Sequence, residues 1–374
     1  MENLFILFVF LTLYPYVFYP AVVYVFSRLI GRHWKTGQIQ PAVTVLVSAY
    51  NEEKVISDKI KNTLALDYPP DKLEVLVSSD GCSDRTNDIV AGLTDARVVL
   101  LEHPRIGKSA CLNKSVPVAK GDIILFTDAN AMFPEDLLLR IVRNFNDPDI
   151  GLATGSTLYK TGADGRASAD AYGKLERWTK YGESRISSCV GADGAVFAIR
   201  KELYRPLKND DINDFIIPLN IIRLGRRVVM DPDVFCIEDA TNETQNAFRR
   251  QVRITTRTLW AIRRNLEFLN PLKYRFFSFF IFSHKLLRFS VPFFFAGAFA
   301  VNLFLLTRSF VYTLSMLGFI LVFITGMLNI TGHVRGKMSS ICKYFLITIT
   351  AQFFGWIRML AGIKDALWTP QREG

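Results

Sequence analysis

The chain is short of cysteine, and the cysteines it has are not arranged for chemistry. Cys82, Cys111, Cys189, Cys236 and Cys342 are scattered, with neither metal-ligand nor redox spacing between any pair. They read as small buried residues of a reducing compartment. Acidic charge is also scarce: 45 Lys and Arg stand against 35 Asp and Glu, a net charge of +10. The interleaved basic and aromatic stripe expected of a nucleic-acid binder is missing from the middle of the chain. Basic residues crowd instead beside apolar segments, as in Arg249-Arg250-Gln-Val-Arg253, Arg263-Arg264 and His333-Val-Arg335-Gly-Lys337. That placement suits anionic lipid and a diphosphate-bearing substrate. No internal repeat and no low-complexity tract is present.

Charge is absent altogether from several long stretches. Residues 4–26 carry none, and only Glu2 precedes them. This is too long for a signal-peptide core and lacks a basic leader, so it reads as a permanent signal anchor, kinked at Pro15 and Pro20. Arg28, Arg32, His33 and Lys35 follow at once, which by the positive-inside rule puts the amino terminus outside and the next domain in the cytosol. Residues 289–307 and 309–332, separated by Arg308, are each long enough to span. They read as an outward and a return span, leaving 333–343 in the cytosol. Residues 344–357, between Lys343 and Arg358, fit either a third span with snorkelling ends or a helix in the interface, so the side of the carboxy terminus stays open. Residues 244–269 and 276–287 read as helices lying along the membrane surface.

Between anchor and spans the pattern is that of an α/β domain. Apolar strands at 43–48, 73–79, 98–101 and 123–127 alternate with helices at 53–66, 84–93, 108–118 and 134–145. That alternation implies right-handed crossovers and a mainly parallel, Rossmann-like sheet. Beyond Gly151 a helix is expected at 170–185 and a glycine turn into a strand at Gly191-Ala-Asp193-Gly194. The organisation expected is an anchor over 1–30, the α/β domain over 31–245, amphipathic interfacial helices over 246–288 and a membrane region over 289–374.

Two strands run into an acid: Val-Leu-Val-Ser-Ser-Asp80 and Ile-Ile-Leu-Phe-Thr-Asp128. An open α/β sheet binds ligands at the carboxyl ends of its strands, so both acids are expected at one crevice. Asp80 suits a nucleobase N–H, and equally a turn-forming Asp-Gly. In Ser48-Ala-Tyr50-Asn51-Glu52-Glu53, Tyr50 offers a ring to a base and Glu52 a carboxylate; the same run also suits a helix N-terminus. Lys108 follows Gly107 at a helix start, where free backbone N–H groups favour phosphate. Asp128-Ala-Asn130 provides one carboxylate and one amide oxygen for Mg²⁺ or Mn²⁺, completed by a diphosphate. Asn209-Asp210-Asp211-Ile-Asn213-Asp214 concentrates carboxylates that suit either a general base or a solvated loop. Arg249, Arg253 and Arg257 share one helical face, for diphosphate or for lipid headgroups.

In this order the motifs resemble a membrane-integrated family 2 glycosyltransferase with the GT-A fold, related to cellulose, hyaluronan, chitin-oligosaccharide and poly-N-acetylglucosamine synthases. The resemblance runs from Val43 to about Trp368. It implies that Tyr50, Glu52 and Asp80 hold the nucleoside, Lys108 and Arg253 approach the phosphates, and Asp128 and Asn130 bind the metal. Counting back from Gly225-Arg-Arg-Val228, it implies Asp214 as the base, with Asn213 in place of the family's Glu and Asp211 as the neighbouring candidate. Asp193 and Gly194 match the acceptor-binding turn. Where processive synthases carry Gln-x-x-Arg-Trp, this chain has Arg250-Gln-Val-Arg253-Ile254, so the acceptor-stacking Trp is missing and Trp260 is the candidate substitute. The resemblance implies an integral protein of the bacterial inner (plasma) membrane that inverts at the anomeric carbon. Its donor would be a nucleotide sugar, UDP-linked by family habit, and its acceptor lipid-linked or an oligosaccharide, with export or assembly proteins as partners and no nucleic acid. Two other readings are a processive polysaccharide synthase coupled to secretion and a non-catalytic membrane scaffold.

Overall fold

The computed structural model describes residues 1–159, 167–239 and 244–364; Trp368, where the resemblance ends, lies outside them. The chain divides into two compact units. One comprises 26–160, 176–240 and 365–374; the other comprises 1–25, 161–175 and 241–364.

The first unit is built on a seven-stranded sheet: β1 (Val43–Ala49), β2 (Leu73–Asp80), β3 (Val98–His103), β4 (Ile123–Asp128), β5 (Ile150–Tyr159), β6 (Phe197–Arg200) and β7 (Arg227–Glu238), in the order β3-β2-β1-β4-β6-β5-β7. β3, β2, β1 and β4 are mutually parallel, and β5 runs parallel to β7. β6 is antiparallel to both its neighbours, so the sheet is mixed but mostly parallel. β1 and β2 are buried along their whole length, which is why they read as unbroken apolar runs rather than alternating ones. Their register pairs Ala49 with Ser79 and Ser48 with Asp128, so the carboxyl ends of β1, β2 and β4 lie level along one edge.

Several helices are shorter than the sequence predicts. The helix after β1 covers Ile56–Leu64, because Asn51 adopts a left-handed φ of 54° and the loop through Glu53 is tied elsewhere. The helix expected over 134–145 is Leu137–Val142 plus a 3₁₀ turn, Arg143–Asn146. A helix at Asn213–Arg223, to which the sequence reading assigns no element, starts within the acidic run 209–214 and carries Pro218 inside it.

In the second unit the amino-terminal apolar stretch forms two helices, Glu2–Leu13 and Phe18–Leu29, bent by 62°. Pro15 lies in the break. Phe276–Leu287 and Val291–Leu303 are likewise bent, by 59°. Within the first of them, Phe282–Leu287 is a π-helical segment. Phe310–Ile330 and Lys337–Leu360 are each long and apolar enough to cross a membrane, and up to four crossings result if each bent pair is one span. Residues 344–357 thus belong to a 24-residue helix of spanning length, whereas the stretch 289–307 holds only the 13-residue helix Val291–Leu303. The surface helix expected over 244–269 ends at Arg264 and gives way to a 3₁₀ turn. It packs on Lys337–Leu360, where Gly355 leaves room for Thr255: a Cβ at 355 would lie 2.6 Å from the threonine methyl.

Candidate active site

At the end of β2, Asp80 is buried and fully engaged. Its Oδ1 accepts from the backbone N–H groups of Ile106 and Gly107, each at 2.8 Å, and its Oδ2 is paired with the Arg105 guanidinium. The same guanidinium lies 3.4 Å from the centroid of the Tyr50 ring. Arg105 is therefore sandwiched between Tyr50 and Asp80, two of the three residues that the resemblance assigns to the nucleoside. The sequence analysis singled out Gly107 and Lys108 but not Arg105, whose only signal was a cation close to a glycine turn. Cys111 completes the surroundings of Asp80, with Sγ 3.4 Å from Oδ1. Burial, then the Asp80 carboxylate, pushes its thiol up to about 12, so the sulfur stays protonated and donates.

Glu52 is buried, and its backbone N–H donates to the Thr86 hydroxyl at 2.8 Å. Asn51 and Ser83 exchange hydrogen bonds, and Glu53 N–H donates to Asp84. The loop after β1 is thus stitched to the loop after β2, which fixes Tyr50 at the crevice edge.

At the end of β4, Lys108 Nζ donates to Asp128 Oδ1 at 2.6 Å. Lys108 opens the helix Lys108–Val118, whose N-cap is Gly107 with φ of 90°. Among the described residues no group of three His, Cys, Asp or Glu side chains is placed to hold a metal ion. Asp128 Oδ2 and the Asn130 side chain accept no hydrogen bond there, and the ammonium on Oδ1 already stands where positive charge is favoured. One carboxylate and one amide oxygen fit a divalent cation whose remaining ligands come from a diphosphate.

The glycine turn and the acidic segment also meet. Ala192 N–H donates to Asp214 O at 2.7 Å, and a Cβ at Gly194 would sit 3.1 Å from Asp214 Oδ2. Asp214 lies in the first turn of Asn213–Arg223, where the helix dipole favours a carboxylate. Asp211 is used locally: its Oδ2 accepts from Lys208 N–H at 2.9 Å, and its carbonyl accepts from Ser109 Oγ at 2.8 Å. Asp193 holds β5 through Thr157, accepting from its N–H and its hydroxyl at 2.8 Å each.

Arg253 and Trp260 lie on Thr244–Arg264 in the other unit. Arg253 is half-buried. Trp260 donates to Ile363 O at 3.0 Å, and its ring has Arg263 and Lys364 within 5.2 and 5.1 Å of its centroid.

Below the turn after β4 sits a residue that sequence reasoning missed. Lys59 is completely buried, donates to Ala131 O at 2.5 Å, and lies 3.3 Å from the Phe133 ring centroid. Burial lowers its amine from 10.5 to about 7, against the raising effect of Cys236, Asp128 and Glu238.

Residues 44–205 match the family model described as glycosyl transferase family 2. A beta-monoglucosyldiacylglycerol synthase of Nostoc is 38% identical over 135 residues, covering 34% of this chain and 28% of the relative. A probable glycosyltransferase of Bacillus subtilis is 28% identical over 253 residues, 63% of this chain and 58% of the relative. A poly-beta-1,6-N-acetyl-D-glucosamine synthase of Staphylococcus aureus is 28% identical over 166 residues, 43% of this chain and 39% of the relative. The chain thus spans between about a quarter and three-fifths of the length of these curated relatives. Among solved structures, a mannosyltransferase of Pyrobaculum calidifontis in complex with GDP-Man and Mn²⁺ superposes with a TM-score of 0.73 at 22% identity, covering 96% of this chain and 99% of that one. That likeness concerns the fold, which is of the GT-A type.

Proposed function

We propose, from the match of residues 44–205 to the glycosyl transferase family 2 model, that the protein is an inverting sugar transferase at the cytosolic face of a membrane. It takes a nucleotide sugar, UDP-linked, and extends a lipid-linked or glycan acceptor in polysaccharide or glycolipid synthesis. The observation that carries this reading is the level edge of β1, β2 and β4, with Asp80 and Asp128 bridged by the single stretch Arg105-Ile-Gly-Lys108.

Tyr50, Arg105 and Asp80 form the nucleoside end. Lys108 and the helix N-terminus behind it meet the diphosphate. Asp128 and Asn130 would hold Mg²⁺ or Mn²⁺, which when bound neutralises charge on the departing nucleotide. Asp214 takes the proton of the acceptor hydroxyl. The acceptor oxygen then bonds to the anomeric carbon from the face opposite the diphosphate, the bond from that carbon to the phosphate oxygen breaks, and the nucleoside diphosphate leaves. One displacement with no carboxylate nucleophile inverts the centre. Asp211, Asp193 and Gly194 shape the acceptor side, and Arg253 is assigned to the diphosphate and Trp260 to the acceptor by the resemblance alone.

The test is a screen of nucleotide sugars for free nucleotide release by the detergent-solubilised protein, with Mg²⁺ and with Mn²⁺. Release from one donor class that depends on an added lipid or glycan acceptor is expected. No release from any donor with either cation would overturn the reading.

A further inference from the structure

One helix, Lys108–Val118, touches both sides of the crevice. At its start the Gly107 N–H holds Asp80 and Lys108 holds Asp128. Ser109 then donates to the Asp211 carbonyl at 2.8 Å. One turn further on, Asn113 grips Leu207 from both ends of its amide. Its Nδ2 donates to Leu207 O at 2.8 Å, and its Oδ1 accepts from Leu207 N–H at 2.8 Å. The Tyr204 hydroxyl donates to the same Oδ1 at 2.8 Å.

Asparagine presents a donor and an acceptor in one plane, as a peptide group does, and so substitutes for a neighbouring strand along one residue of backbone. The segment it grips has no strand partner, being a turn closed by Lys208 N–H on Asp211 Oδ2 and Asp211 N–H on Lys208 O. Three residues beyond Asp211 stands Asp214. Two side chains of this helix, Ser109 and Asn113, therefore help to hold the acidic segment in place relative to the diphosphate end.

We propose that Asn113 is a positioning residue: by fixing the 207–211 turn onto the helix that carries Lys108, it sets the reach of Asp214 to the acceptor hydroxyl. The proposal rests on the transferase reading above. Asn113 touches no reacting atom. Its removal leaves donor binding intact and slows transfer, because misplacing a catalytic group by about 1 Å costs on the order of 10²-fold in rate. Aspartate is the informative replacement, since it keeps the shape and the acceptor oxygen but turns a second oxygen toward Leu207 O.

The experiment compares the full-length wild type with Asn113→Asp and with Ser109→Ala in detergent. Three readouts are taken: transfer rate at saturating donor, binding of UDP and of GDP with Mn²⁺, and backbone hydrogen exchange by mass spectrometry. For Asn113→Asp, transfer is expected to fall on the order of 10²-fold. Nucleotide affinity should stay within about twofold, and amides of 207–214 should exchange faster while those of 106–109 do not. Ser109→Ala should show the same pattern more weakly. Unchanged exchange in 207–214, or nucleotide binding lost in step with transfer, would overturn the proposal. If the wild type itself transfers nothing, the transferase reading fails, while the exchange readout still decides whether Asn113 holds the turn.

Discussion

Replacing Lys59 with methionine should stabilise the protein near neutral pH and destabilise it in alkali. An amine whose value falls from 10.5 unfolded to about 7 folded opposes folding. The cost is full below the folded value, shrinks as pH rises, and is gone above the unfolded value. At pH 7.5 the unfolded chain holds the proton and the folded chain mostly does not, which costs about 4 kcal/mol; at pH 10 the cost is under about 1 kcal/mol. Methionine fills a similar volume without that cost, but it leaves the buried Ala131 carbonyl short of its 2.5 Å donor. An unsatisfied buried acceptor costs about 1–3 kcal/mol at any pH. The variant should then be more stable than the wild type by about 1–3 kcal/mol at pH 7.5 and less stable by up to about 2 kcal/mol at pH 10. Thermal unfolding of both proteins in detergent across this range should give Tm curves that cross. A Tm difference independent of pH would refute the argument, because Lys59 would then carry the same protonation folded and unfolded.

Asp128→Ala should abolish metal-dependent turnover while leaving membrane insertion and the thermal transition intact; turnover indifferent both to this change and to EDTA would remove the metal role. Asp214→Asn should cost transfer on the order of 10²–10⁴-fold with nucleotide binding near normal, as for a lost general base; a dead Asp211→Asn beside an active Asp214→Asn would move the base to Asp211. Arg105→Ala should raise the donor KM about tenfold, about 1.4 kcal/mol, because Tyr50 and Asp80 lose the cation that links them, with a smaller effect on kcat. An unchanged donor KM would place Arg105 outside the nucleoside site.

The parts of the molecule legible from its sequence are those where one physical signal dominates. β1, β2 and β4 are buried on both faces, so their apolar runs and terminal acids stand out without any alignment. The Lys108–Val118 helix matched its expected bounds because Gly107 supplies the positive φ its start requires. The bend in the amino-terminal apolar stretch falls at Pro15, as the ring's clash with the preceding turn dictates. Asn213–Arg223 was not legible: carboxylates at its start suggest a solvated loop, and Pro218 argues against a helix, yet six of its apolar residues are buried, Pro218 among them. Lys59 was hidden for a different reason. A lysine three residues before an asparagine-threonine pair looks like an exposed helix face, and only the tertiary fold turns it inward, onto the turn that carries Asp128 and Asn130. Arg105 and Asn113 act through partners distant in sequence, Asp80 and Leu207, and no local pattern encodes such pairs.

The helix Phe310–Ile330 buries only Met316 and Gly326 against protein. At about 1.5 Å of rise per residue it is about 31 Å long, close to the roughly 30 Å hydrocarbon thickness of a typical bilayer. Its length therefore suits a membrane crossing, in which it would respond to bilayer thickness. Thinner or thicker membranes force it to tilt or force the bilayer to deform, at a cost of fractions of a kcal/mol per Å. Gly326 is where that tilt would be felt, since a Cβ there would lie 2.5 Å from a Leu346 methyl on Lys337–Leu360. Acyl-chain length in reconstituted vesicles thus becomes a mechanical variable acting on the helix that also packs against Thr244–Arg264.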